Sequence, residues 1–368
     1  MNNLIVKTKS KSYPIYFGQG IISSVNKLIE ENLPDVKKVC IISDKKIPIS
    51  SVKKINKLLK NHKTKIYRLN VNEKIKSFKF AYKIIEDLLK ENFNRSDCII
   101  ALGGGVIGDL SSFIASLTKR GTKLINIPST LLAQVDSSIG GKTAVNSSQG
   151  KNLVGTFYQP DFVIIDTSLL DSLPKREMIC GYAEILKHSL ILDKKFFLWL
   201  NQNAQKVINR KSKSILKTAI LKSCKIKSKI VEKDEKEKSL RMVLNFGHTF
   251  AHGFEGAKNF TKKLNHGEAV LLGMFVASNL SYKKKLLSLK ELNLITDHYN
   301  NLKLPSKLGS FFKKKDINKI IRFMQKDKKN FNNKINLILL KKIGLATKPN
   351  TMFFKQKEIR KILIENFH

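Results

Sequence analysis

The stretch NFGHTFAHGFE, residues 245–255, sets His248 and His252 four positions apart. On a helix that spacing stacks the two imidazoles one turn above the other on a single face, an arrangement known for pairs of zinc ligands. Carboxylates stand nearby in comparable settings, Glu184 in GYAEILKHSLILD and Glu268 in LNHGEAV, and four of the seven histidines fall between residues 188 and 266. Such a cluster of imidazoles and carboxylates invites a divalent cation. The competing reading of any one ring is a hydrogen-bonded core histidine, and His188, close to the end of an apolar run, is assigned to that reading.

A second stretch offers a different chemistry. CIIALGGGVIGDLSSFIASL reads as a buried strand, then Gly103-x-Gly105-x-x-Gly108, then a helix starting near Val106. Glycines at such a turn let the backbone approach a pyrophosphate, and the helix N-terminus supplies unpaired amides and the positive end of its dipole. The loop follows a later strand than in the simple dinucleotide fingerprint, and no acidic residue stands about 20 positions on. Asp109, inside the loop, and Glu73, in NEKIKSF, are the alternative partners for a nucleotide's hydroxyls.

The elements that must position these residues fall into two kinds. Up to about residue 175, apolar runs alternate with helix-period stretches, which predicts a parallel sheet with covering helices. Its strands are expected at KVCIIS (38–43), TKIYRLNV (64–71), CIIAL (98–102), TKLINIP (122–128) and FVIID (162–166), after a strand-like N-terminus. Beyond SLLDSLPKRE the spacing turns to threes and fours, so the segments from Pro174 to about Lys329 should be helical. The expected organisation is an α/β N-terminal nucleotide-binding domain with a parallel sheet, 1–173, followed by a mostly α-helical metal-binding domain, 174–368, with small molecules bound in a cleft between them. At 368 residues the chain is long enough for two such domains, each with its own core.

Composition excludes several classes. The longest apolar runs fall well short of the roughly 20 residues a membrane helix needs, and the N-terminus lacks the pattern of a signal peptide, so no membrane partner and a cytoplasmic location are expected. Four cysteines lie far apart without a CxxC pair and read as buried thiols. The formal net charge of +40 could mean a nucleic-acid partner. Lysines, however, are spread along the whole length without the aromatic interleaving of a single-strand platform, so the expectation is a solvated basic surface and no nucleic acid.

Six segments in order, GGGVIGDLSSFIASLTKRG, IPSTLLAQVDSSIGGKTAVN, GKNLVGTFYQP, GYAEILKHSLI, LRMVLNFGHTFAHGFE and HGEAVLLGM, resemble the 3-dehydroquinate synthase family of sugar-phosphate cyclases, over a span from about Asp44 to near residue 329. The resemblance implies conversion of 3-deoxy-D-arabino-heptulosonate 7-phosphate to 3-dehydroquinate and phosphate, the second step of the shikimate pathway. It implies NAD that is reduced and reoxidised within each turnover, and one divalent ion, zinc or cobalt, per chain. It makes Glu184, His248 and His266 the metal ligands, and His252 a non-ligand that moves protons. Three protein ligands and an open position are the pattern of a catalytic zinc site.

By the same resemblance, Lys142, Asn152 and Arg120 match phosphate and substrate contacts, while Lys187, Lys227, Arg241 and Asn245 match those that hold the carboxylate and hydroxyls. Asp136, Lys142 and Lys151 bracket a loop expected to cover the nicotinamide end. Cofactor contacts are implied for Asp44, Glu73 and Lys76, for Gly104, Gly105, Val106, Ile107, Gly108 and Asp109, and for Ser129, Thr130, Lys142, Lys151, Leu169 and Ser172. Arg120 is expected to reach the phosphate in a neighbouring subunit's site, which implies a homodimer. The departures are Ala251 where the family usually has Gly, whose methyl is expected to crowd the turn between the histidines, and Ser129 and Ser172 where it usually has Thr. The alternatives are another cyclase of the same fold or a glycerol-dehydrogenase-like oxidoreductase.

Overall fold

A computed structural model describes residues 2–72, 74–261, 263–325 and 334–367. They divide into two compact units: Met1–Pro174 with Lys227–Lys236, and Lys175–Ile226 with Glu237–His368.

The first unit is built on a seven-stranded sheet. In chain order its strands are β1 (Asn2–Lys7), β2 (Ser12–Gly18), β3 (Lys38–Asp44), β4 (Lys63–Leu69), β5 (Cys98–Gly103), β6 (Lys123–Pro128) and, after a small hairpin of β7 (Val145–Ser147) and β8 (Gly150–Val154), β9 (Phe162–Asp166). The spatial order is β1-β2-β9-β6-β5-β3-β4, parallel throughout except for β1 on β2. The central strands β5 and β9 are buried at every position, as parallel strands covered on both faces must be. Alternate side chains serve opposite faces. Val39, Ile41, Ile100, Leu102 and Ile125 pack with helices α1 (Val25–Asn32) and α2 (Ile49–Leu58). Cys40, Ile42, Ile99, Ala101 and Leu124 pack with α3 (Phe78–Lys90) and α4 (Gly105–Leu117).

The chain runs outward from β3 to β4, returns to lay β5 on the other side of β3, and continues away through β6. Strand order therefore reverses between β3 and β5, the kind of switch point at whose carboxyl-end crevice ligands bind in open α/β sheets. All five expected parallel strands are present. β4 stops at Leu69 rather than residue 71 because its partner β3 ends at Asp44, which pairs with Leu69. The β7–β8 hairpin was not expected, since VNSSQGKNLV is short, polar and without a clean alternation.

The second unit is mostly helical: α5 (Lys175–Leu192), α6 (Lys194–Ile208), α7 (Lys213–Lys233), α8 (His248–Ala257), α9 (His266–Lys283), α10 (Leu289–Leu302), α11 (Ile317–Gln325) and α12 (Gln356–Glu365), with four short strands between residues 335 and 354. The end of α7 belongs with the first unit, where Glu232 accepts the Lys7 amide at 3.0 Å and Glu235 accepts from Gln159 Nε2 at 2.8 Å. Continuous helical periodicity through residues 213–233 hides that change of allegiance. Helix α5 is buried from Cys180 to Ile191, and α8 and α9 meet backbone to backbone, since a Cβ on Gly273 would lie 2.1 Å from the Gly247 carbonyl oxygen. No helix among the described residues is long and apolar enough to cross a membrane.

At the end of β9, the fully buried Asp166 carboxylate accepts the amides of Gly20 (2.8 Å), Ile22 (3.0 Å) and Ser168 (2.9 Å) and the Ser168 hydroxyl (2.7 Å). It thereby ties the turn before α1 to the sheet. Asp166→Ala strands four donors, the Ile22 amide buried and the other three partly buried. The buried one is costly to leave unpaired, and the substitution should lower stability by about 2 kcal/mol in urea unfolding followed by circular dichroism. A loss under about 0.5 kcal/mol, the range of ordinary surface changes, would contradict this role.

Candidate metal centre and nucleotide crevice

In the second unit, α5 carries a carboxylate that is taken wholly out of water: Glu184 has 0% exposure. Its Oε1 faces His248 Nε2 at 3.5 Å and His266 Nε2 at 3.7 Å, and its Oε2 pairs with Lys187 one turn on. Neither oxygen accepts a hydrogen bond of ordinary geometry, so the Lys187 charge and the two more distant imidazoles compensate the carboxylate. Burial would raise its pKa, but the Lys187 ammonium and the His248 and His266 rings outweigh that and hold it well below the usual carboxylate range. One donor atom from each of Glu184, His248 and His266 lies within 4.8 Å of the others, on three different helices.

The two rings differ electrostatically. Burial and the Lys187 charge push His248 down to about 4, which keeps its ring neutral and able to ligate. His266 is opposed by burial but raised to about 10 by the carboxylates of Glu255 and Glu184. A divalent cation placed among the three donors supplies the positive charge that the ring proton otherwise provides. The chemistry of the donor set, two imidazoles and one carboxylate with an unsatisfied buried oxygen, fits such an ion. Glu255, which sequence reasoning passed over although it ends the opening motif, lies 3.4 Å from His266 Nδ1 and so leaves Nε2 for Glu184 and the ion. Its spacing from His248 and His252, seven and three residues, was the available signal.

Local sequence explains the placement. Gly247 precedes α8 with φ of 77°, in the left-handed region that favours glycine. Asn265 and Glu268 close a reciprocal capping box around the start of α9, directly at His266. His252 lies one turn along α8 with its ring centroid 6.0 Å from that of His248. Ala251 is fully buried and α8 runs unbroken from His248 to Ala257, so its methyl does not disturb the turn. His188 is a buried ring with Nδ1 2.6 Å from Ser223 Oγ, in keeping with a core residue. Arg241 is 2% exposed in the 3₁₀ segment Leu240–Asn245, and Asn245 donates to Glu237 Oε1 at 2.9 Å.

In the first unit, the residues implied for the nucleotide gather on the carboxyl edge of the sheet. Asp44 ends β3, Gly104–Asp109 follow β5, Ser129 and Thr130 follow β6, and Leu169 and Ser172 follow β9. Gly104 caps α4 without a side-chain bond, and no acidic residue occupies the first turn, so the amides there remain available to an anion. A Cβ on Gly108 would meet nothing within 4 Å, which leaves open space beside that turn. This is a fit for a pyrophosphate.

Lys76, 5% exposed, donates to Asp109 Oδ2 at 2.5 Å and also to Asn152 Oδ1, drawing the β7–β8 hairpin to the crevice. Lys227 donates to both the Asp136 carbonyl and its Oδ1, each at 2.6 Å, where Asp136 sits in a one-turn π-helix, Ala133–Ser137. Lys151 is half-buried and Lys142 exposed on the same hairpin region. Arg120 stands apart: it is exposed at the amino edge, before β6. Glu73 lies outside the described residues.

Residues 66–180 match the family model described as 3-dehydroquinate synthase N-terminal, and residues 181–330 the one described as 3-dehydroquinate synthase C-terminal. The chain is 53% identical over 341 residues to the 3-dehydroquinate synthase of Pelagibacter ubique, covering 93% of this chain and 92% of that one. Among solved structures, 2-deoxy-scyllo-inosose synthase in complex with carbaglucose-6-phosphate, NAD+ and Co2+ is similar with a TM-score of 0.88 and 26% identity over 99% of this chain and 100% of that one. The 2-epi-5-epi-valiolone synthase of Streptomyces hygroscopicus, with NAD+ and Zn2+ bound, gives 0.86 and 25% over 97% of each chain.

Removing any one of the three donors, by Glu184→Ala, His248→Ala or His266→Ala, should weaken divalent-ion binding by more than about 100-fold, beyond what outer-shell changes cost. His252→Ala should retain the ion. Metal analysis after gel filtration reads both, and an empty His252→Ala protein would place that ring among the ligands.

Proposed function

Because the chain belongs to the 3-dehydroquinate synthase family, we propose how its own residues carry out the conversion of 3-deoxy-D-arabino-heptulosonate 7-phosphate to 3-dehydroquinate and phosphate. The observation that carries the reading is the buried Glu184 carboxylate facing two imidazole nitrogens. When bound, NAD supplies a hydride acceptor that is restored within the turnover, and the divalent ion, zinc or cobalt, polarises the alcohol to be oxidised. Glu184, His248 and His266 hold the ion. The amides of Gly104–Gly108 cradle the pyrophosphate, with Asp44, Glu73, Lys76, Asp109, Ser129, Thr130, Lys151, Leu169 and Ser172 around the remainder of the cofactor.

The substrate is a phosphorylated sugar acid, so it needs cations at both ends. Lys142 and Asn152, with Arg120, serve the phosphate side, and Lys187, Lys227, Arg241 and Asn245 the carboxylate and hydroxyls, where the planar Arg241 fork suits an oxyanion. Asp136, paired with Lys227, borders the loop over the nicotinamide end. A cyclase whose substrate lacks the carboxylate has less use for Lys227, Arg241 and Asn245. His252, one turn from a ligand yet outside the triple, moves a proton at its ring nitrogen. Four buried free cysteines suit the reducing cytoplasm.

The decisive assay gives the protein the heptulosonate phosphate and a trace of NAD. Phosphate should accumulate far beyond the NAD supplied without lasting NADH absorbance, and His252→Ala should be slower by about 100- to 10,000-fold. NADH building up one for one with substrate would make the chain a dehydrogenase.

Assembly follows from Arg120. It lies at the amino end of β6, a strand of six residues, so at about 3.3 Å per residue it sits roughly 20 Å from the carboxyl edge of its own sheet. Too far to serve that edge, it takes the role the family resemblance implies: reaching the phosphate in a second copy's site, in a two-fold dimer where each chain lends the other the same residue. Exposed apolar side chains on the same unit, Phe78, Tyr82, Leu117, Leu153 and Phe157, support such an interface. Arg120→Ala and Lys142→Ala homodimers should each be weak, and a re-assorted mixture should regain up to one working site per heterodimer. A mixture no more active than the mean of the two, with exchange confirmed, would count against the shared site.

A further inference from the structure

Three successive turns of α5 grip three successive residues at the start of α9. Arg176, Cys180 and Glu184 recur at four-residue spacing and so share one face of α5. Arg176 forks onto Glu268, with Nε 2.7 Å from Oε1 and a terminal nitrogen 2.7 Å from Oε2, and reaches the Lys263 carbonyl at 3.4 Å. One turn on, the Cys180 sulfur accepts the Gly267 amide at 3.2 Å. One turn further, Glu184 faces His266. The order 176, 180, 184 on α5 thus meets 268, 267, 266 on α9.

The contacts leave little play. A Cβ on Gly267 would lie 2.2 Å from the Cys180 Cα, so the two backbones touch immediately beside the ligand. Glu268 is itself fixed, because Oε2 accepts the Asn265 amide at 2.9 Å while its own amide donates to Asn265 Oδ1 at 2.8 Å. His266 is therefore held by backbone contacts on both sides, the Asn265 cap before it and the Gly267–Cys180 approach after it. The Arg176 side chain is 48% exposed, and an ion pair that open to water adds little to folding stability. Its bidentate geometry fixes position more than it adds energy.

We infer that Arg176 and Cys180 are positioning residues for the metal ligand His266: they set the register of α9 on α5 and so hold the imidazole at ligating distance from Glu184. The inference rests on the metal reading of the Glu184–His248–His266 cluster. It predicts that affinity for the ion and the geometry of its coordination depend on side chains that never touch it, which is how outer-shell partners act on metal sites.

The test uses the full-length apoprotein titrated with Co2+ against a competing chelator, with the visible d–d spectrum recorded at saturation. Arg176→Ala and Cys180→Val should each weaken Co2+ binding by roughly 10- to 100-fold and alter the spectrum. The thermal midpoint of apo Arg176→Ala should stay close to that of the parent. Cys180→Ser, which restores an acceptor for the Gly267 amide, should return affinity and spectrum towards the parent, whereas Arg176→Lys, which cannot fork, should not. Lys284→Ala serves as control, since it breaks an exposed pair with Glu358 at the far end of the same helix. Parent-like affinity and spectrum in Arg176→Ala and Cys180→Val, or equal losses in Lys284→Ala, would overturn the inference. A parent protein that takes up no Co2+, or a His248→Ala protein that holds it as tightly, would instead overturn the metal reading and the inference with it.

Discussion

A carboxylate removed from water must be compensated at close range, and Glu184 is the group around which the second unit is arranged. Isolated, an ionised carboxylate in an apolar interior costs far more than a fold can support. The neighbours of Glu184 answer that cost from three helices: Lys187 on its own, His248 at the head of α8 and His266 at the head of α9. Both histidines are first residues of their helices, and each stands beside a glycine at which two backbones touch, Gly247 against α9 and Gly267 against α5. Close backbone approach lets short, stiff imidazoles converge on one oxygen. The compensation remains incomplete in hydrogen-bonding terms, a deficit that a divalent ion bound there would remove.

The first unit solves a different problem with backbone rather than side chains. Its parallel strands deliver their carboxyl ends to one edge, and the reversal of strand order between β3 and β5 keeps helices from closing over it. Gly104 at the head of α4 then offers unpaired amides. Lys76, Asp109 and Asn152 make a partly buried polar link from the β4–α3 connection through α4 to the β7–β8 hairpin. That link explains why a polar, irregular stretch holds an ordered ladder: Asn152 adopts φ of 57° with its side chain turned towards Lys76 and its amide donating to Asn146 Oδ1.

Legibility followed length and period. The five parallel strands could be read because buried runs such as CIIAL and FVIID are continuous, and the helical second half because its apolar spacing is sustained. Spacing singled out His248 and His252, and clustering drew in Glu184 and the other histidines, but only the ordered motifs selected Glu184, His248 and His266 as one set, since convergence of three helices leaves no trace in local sequence. Glu255 was visible as part of the same helical face but carried no motif weight. Three features were illegible for physical reasons. The return of Lys227–Lys236 to the first unit begins as a change of packing inside an unbroken helix and runs on past its end at Lys233. The β7–β8 hairpin lacks apolar alternation. The Arg176–Glu268 fork joins residues 92 apart, and with 69 Lys and Arg in the chain no single arginine stands out.

That last difficulty has a physical resolution for the cations as a group. In a chain of such basic composition, an exposed lysine says nothing, because hydration of its charge makes it nearly free to keep. A buried cation is another matter, since desolvation must be repaid by a counter-charge or a bound anion. Among the described residues, the basic side chains that fall into the buried class are Lys76, Lys187, Lys227 and Arg241. Lys76 meets Asp109, Lys187 meets Glu184 and Lys227 meets Asp136. Each is also a residue that motif register had assigned to cofactor or substrate. Burial thus separates these four from the compositional background by a criterion independent of any resemblance. The same criterion leaves Lys142, Lys151 and Arg120 unmarked, so their roles stand on motif register alone.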